Sequence, residues 1–66
     1  MKLKNGDWIK ICRGVWINHI GRIDSINHDY CRIQINGWGG TFAFLTNEFI
    51  QISDEEAMLG ILEYYA

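Results

Sequence analysis

The sequence predicts an all-β chain, five short strands wrapped into a small barrel, followed by one short C-terminal helix. Three observations carry this. Ile9-Lys10-Ile11 precedes, and Arg22-Ile23-Asp24-Ser25-Ile26 follows, a loop bracketed by Gly14 and Gly21. Ile33-Gln34-Ile35 adds a third stretch in which apolar and polar residues alternate, the period of a strand with one buried face. Ser53-Asp54-Glu55-Glu56 then opens a segment whose apolar residues recur at helical spacing.

Asn5-Gly6-Asp7 is a turn signal, and Trp8 to Cys12 follows it as the first strand, with Ile9 and Ile11 facing in. Val15 to Ile20 is too apolar for a solvated loop and too short for a helix, so it is expected to fold over the barrel mouth. Gly21 lets the chain restart as a strand where two backbones approach closely. Ile23 and Ile26 begin the second strand on the core side, and their spacing of three requires a bulge near Ser25. Asn27-His28-Asp29 is a polar turn, and Tyr30 to Ile35 is the third strand. Asn36-Gly37-Trp38-Gly39-Gly40 is the strongest loop signal in the chain. Thr41 to Leu45 is the fourth strand, Thr46-Asn47-Glu48 a single tight turn, and Phe49 to Ile52 a fifth strand expected to close the sheet. Ser53 caps a helix from Asp54 to about Tyr65, with Glu56 three residues on and acids where the helix dipole favours them. Met58, Ile61, Leu62 and Tyr65 are expected to form its docking face, either on its own barrel or in trans on a partner or a second copy.

The Gly14 to Gly21 loop, Arg22-Ile23-Asp24-Ser25-Ile26 and the short third strand resemble a KOW motif, the SH3-like barrel unit of NusG-type transcription factors and several ribosomal proteins. Lys10-Ile11, Trp16-Ile17-Asn18-His19-Ile20-Gly21, and Phe42-Ala43-Phe44-Leu45 before Asn47-Glu48-Phe49-Ile50 are similar to the stand-alone SH3-like barrels of photosynthetic electron transport, those of the E subunit of photosystem I and the S subunit of the cyanobacterial NDH complex. Both resemblances span about residues 6 to 53 and imply a five-stranded SH3-like (KOW-type) barrel. The domain expectation is therefore a barrel over 1–53 and an acidic amphipathic helix over 54–66. That helix belongs to neither pattern.

A chain of 66 residues makes one domain at most, and its 48% hydrophobic content is that of a folded chain. No apolar run nears the roughly 20 residues of a membrane helix and no signal peptide is evident, so a cytoplasmic protein without membrane insertion is expected. Cys31 points with the core isoleucines and Cys12 away from them, so the two thiols are expected to stay reduced. The net charge of −2 conceals a segregation. Residues 1–52 hold six basic residues against four acids, whereas Asp54, Glu55, Glu56 and Glu63 are unopposed in the tail.

Strands that alternate direction bring the loop after the first strand and the loop after the third to one end, and the His28 turn to the other. The expected partner-binding residues are Lys10, Arg13, Trp16, Asn18, His19 and Trp38, aromatic groups with cations and polar atoms of the kind used at protein hot spots and base-stacking platforms. Trp16 serves equally as a barrel plug. Trp38, set among glycines, is expected to have no neighbours to pack against. Of the soft metal ligands Cys12, His19, His28 and Cys31, the two histidines fall at opposite ends, and no nucleophile shares a pocket with a base. No metal, cofactor or catalytic residue is expected. The reading is a non-enzymatic docking or adaptor subunit for another protein. A KOW-type nucleic-acid-associated protein of transcription or translation is the alternative, with weak binding because few phosphate contacts are available. A phage-encoded regulator of a host protein is a third, and homo-oligomerisation through the helix is compatible with all three.

Overall fold

The computed structural model describes residues 2–65, with side chains through Glu63, so the proposed docking role of the Tyr65 side chain lies outside the described residues. Five antiparallel strands, β1 (Trp8–Ile11), β2 (Ile20–Ile26), β3 (Tyr30–Ile35), β4 (Phe42–Leu45) and β5 (Phe49–Gln51), form one sheet in the order β4-β3-β2-β1-β5. A 3₁₀ turn over Thr46–Glu48 links β4 to β5, and one helix, α1 (Asp54–Tyr65), ends the chain.

The strand and helix assignments from the sequence hold to within a residue or so, except that β2 begins earlier, at Ile20. The expected bulge is present: Ile23 pairs with Ile33, but Ser25 pairs with Arg32, so Asp24 is the extra residue. It keeps Ile23 and Ile26 on the core face. Ile26 nevertheless lies at the rim, opposite Cys31, and is 45% exposed.

The closed barrel is not formed. Among the described residues no ladder joins β4 to β5, which remain the two edges of an open sheet, four and three residues long. The sheet instead curls until its edges share one core. Phe44 from β4 and Phe49 from β5 pack with Ile9, Ile11, Ile23, Ile33 and Ile35. Cys31 is fully buried among them, and burial pushes its thiol pKa up. Both cysteines are free thiols.

A second cluster occupies the opposite face. Ile9 pairs with Gly21 while Trp8 pairs with Arg22 and Lys10 with Ile20, so Trp8, Lys10, Ile20 and Arg22 point away from the isoleucine core. There α1 lies across the sheet, Ala57 and Ile61 packing with Ile20, Ile52 and Trp8. The cap is partly as expected: Glu56 N donates to Ser53 Oγ over 3.1 Å.

Of the two alternatives for the helix face, docking on the chain's own sheet is met only in part. Met58 and Leu62 are 46% and 67% exposed; among the described residues of the expected stripe Ile61 is the one packed against the sheet, together with Ala57 and Gly60. The reason is clearance. A Cβ on Gly60 would lie 3.1 Å from Ile20, so the helix settles on its smallest residues and turns the long ones outward. No helix among the described residues is long and apolar enough to cross a membrane.

Candidate functional site: an aromatic end and an adjoining groove

The β1–β2 loop is held as a compact turn. Asn18 N donates to Ile11 O (2.8 Å), Ile11 N to His19 O (2.9 Å) and His19 N to Trp16 O (3.0 Å), with Asn18 in the left-handed region at φ 72°. The Trp16 carbonyl also lies 3.1 Å from His19 Nδ1; a carbonyl can only accept, so Nδ1 carries the proton. These bonds aim Trp16 inward across the end of the sheet, partly buried on the isoleucine core. Val15 and Ile17, on either side of it, turn outward and are 92% and 50% exposed.

The β3–β4 loop rises to meet it. Asn36 N donates to Ile20 O (2.9 Å) and Trp38 N to Ile35 O (3.0 Å), and the Gln34 amide donates to Trp38 O. Trp38 is therefore fixed, and its indole stands edge-on to Trp16 at 5.1 Å between ring centroids. The expectation that glycines leave Trp38 without neighbours is corrected: the neighbour comes from the other loop. Trp38 stays 48% exposed, which preserves it as a contact surface. His19 packs edge-on to Trp16 at 5.2 Å and Phe42 lies against it at 4.9 Å, so Trp16 is both plug and platform. Edge-to-face pairs of this kind are worth about 0.5–1.5 kcal/mol each beyond their buried area.

Of the six expected contact residues, Trp16, His19 and Trp38 thus converge. Arg13 is exposed at the start of the loop and stacks on none of these rings. The guanidinium that does lie over a ring, among the described residues, is that of Arg22, 4.6 Å from the centre of Trp8 on the outer face. Lys10 and Asn18 belong to a different feature, a groove of about 560 Å³ between α1 and the outer face of the sheet, floored by Ile20, Ile52 and Gly60 and walled by Glu56, Leu59 and Glu63. Aromatic end and groove adjoin, since Asn18, His19 and Ile20 run from one to the other and also line a small hollow with Asn36, Gly60 and Ile61.

Sequence reasoning missed Phe42, which alternation places on the face of Phe44 at the mouth, and it missed the groove entirely. His28 sits at the far end, beside Asp29 at 3.7 Å. Among the described residues no three His, Cys, Asp or Glu side chains converge as a metal site would require. No protein-family model matches this chain, and no curated protein matches it.

Proposed function

We propose that the chain is a non-enzymatic docking subunit of the cytoplasm, built on an SH3-like frame of the KOW type, that binds a partner protein through its aromatic end. The strand order β4-β3-β2-β1-β5 and the curl that brings Phe44 and Phe49 into one core support the frame. The observation that carries the function is the Trp16, Trp38, His19 and Phe42 cluster. It presents a half-exposed tryptophan, Trp38, held in place by Trp16, whose own chain neighbours Val15 and Ile17 turn outward. Rigid, partly buried aromatic anchors are what protein hot spots use. A nucleic-acid platform would also need phosphate-binding cations, and Arg13 is the one lysine or arginine in this loop.

Trp38→Ala tests the reading. Losing one edge contact from a half-exposed side chain is expected to cost about 1 kcal/mol of stability, against about 2 kcal/mol or more of partner affinity. Stability is read by denaturant melts and affinity by capture of partners from native lysate with and without nuclease. Recovery that collapses with nuclease favours the nucleic-acid-associated alternative. Unfolding by Trp38→Ala, with binding lost only in proportion, makes Trp38 a core residue and removes the site.

A further inference from the structure

The outer face of α1 is a second interaction surface, distinct from the aromatic end, and its chemistry selects its partner. We propose that it docks a basic amphipathic segment of a partner protein. Ala57, Gly60 and Ile61 spend one side of α1 on the sheet. The other side carries Met58, Leu59 and Leu62, 46%, 60% and 67% exposed, at positions that share one helical face. Leu59 is the crest between two concavities. One is the groove bounded by Glu56 and Glu63; the other, of about 370 Å³, is lined by Asp54, Glu55, Met58 and Leu59.

The charges around this stripe decide its occupant. Asp54, Glu55, Glu56 and Glu63 ring it against one base, Lys10, that lines the groove from the sheet; the helix has no base, and among the described residues none of the four is ion-paired, the one ion pair being between His28 and Asp29. Exposed apolar side chains in a row lower their free energy by being covered, and carboxylates on both flanks favour a cover that is positively charged. A second copy of this helix would set four carboxylates against four across the same stripe. An anionic lipid surface would be repelled likewise. A helix with an apolar face and lysine or arginine along its edges satisfies both the stripe and its rim, the mode by which amphipathic helices lie in acidic apolar grooves.

The test uses the full chain and two synthetic peptides of about four helical turns, one of leucine and lysine with apolar residues at helical spacing, the other with glutamate replacing every lysine. Titration followed by amide NMR is expected to shift residues 54–63 together with Lys10 and Asn18 for the lysine peptide, and to leave the glutamate peptide unbound. The triple variant Met58→Ser/Leu59→Ser/Leu62→Ser keeps every charge and is expected to weaken binding at least about tenfold. Glu55→Gln/Glu63→Gln keeps the stripe, and is expected to weaken binding and flatten its salt dependence. If the triple variant fails to keep the amide pattern of the sheet, the glutamine variant decides the matter alone. The proposal is overturned by equal binding of both peptides, by binding indifferent to both sets of substitutions, by shifts confined to Trp16 and Trp38, or by no binding. A concentration-dependent doubling of mass that buries the stripe overturns it in favour of a second copy.

Discussion

The two apolar clusters lie on opposite faces of one sheet and are built to different standards. On the inner face every strand contributes, and Ile9, Ile11, Ile33 and Ile35 are wholly buried. On the outer face the helix is seated on the sheet through Ala57 and Gly60 against Ile20 and Ile52, which keep 8% and 9% of their surface. The first cluster holds by interlocked branched volume, the second by small residues that let a helix come close. A close fit over a small area positions an element more than it stabilises it. The helix is therefore the part of this molecule expected to open at low free energy, and the sheet the part whose opening is global unfolding.

Ile33→Ala strains that contrast most. Removing a fully buried isoleucine from the middle of β3 is expected to cost about 2–5 kcal/mol, a large part of the roughly 3–10 kcal/mol available to a chain this short. A guanidinium melt should show the midpoint collapse. Truncation after Ser53 comes next. It uncovers Ile20, Ile52 and part of Trp8, and an expected loss of about 2–3 kcal/mol would lower the melting temperature while the sheet keeps its dispersed amide spectrum. Should truncation unfold the sheet, the outer cluster is an equal partner in the fold and the contrast fails.

How far the sequence disclosed this arrangement differs between the same two regions. Alternation in Ile9-Lys10-Ile11 and Tyr30 to Ile35, the spacing of Ile23 and Ile26, and the Ser53 to Glu56 cap are local signals; strands, bulge and helix start follow from them. Closure between β4 and β5 depends on how tightly a whole sheet curls, and no short pattern encodes it. The face by which the helix meets its own sheet was not legible for a related reason. By spacing alone Met58, Ile61 and Leu62 make as good a stripe as Ala57, Gly60 and Ile61, and the tie is broken by Ile20 across the seam. A signal for that seam did exist. Trp8, Ile20, Ile50 and Ile52 occupy the outward phase of the alternation, and apolar residues in both phases mark a sheet covered on both faces. At the aromatic end, the two loops were correctly placed together by strand direction. The contact of Trp16 with Trp38, far apart in the chain, was not readable from the glycines next to either.

The smallest expected effect sharpens the comparison best, because it asks the same question of both clusters with the same methyl group. A Cβ at Gly21 would lie 2.6 Å from Ile33 Cγ2 and 2.8 Å from the Gln34 carbonyl oxygen. One obstacle is backbone and the other is locked in the inner core, so Gly21→Ala is expected to cost about 1–3 kcal/mol. At Gly60 the obstacles are the Cγ1 and Cδ1 atoms of Ile20, both 3.1 Å away. Those atoms belong to a side chain that borders the groove, and 3.1 Å asks them to give by only a few tenths of an ångström. Against that crowding stands a gain, since replacing glycine by alanine inside a helix favours the helix by about 1 kcal/mol. The two nearly cancel, so Gly60→Ala is expected to leave stability within about 1 kcal/mol of the parent. Paired denaturant melts of the two variants measure the difference directly. If Gly60→Ala costs as much as Gly21→Ala, Ile20 is held as firmly as Ile33, and α1 is an integral layer of the fold rather than an element resting on it.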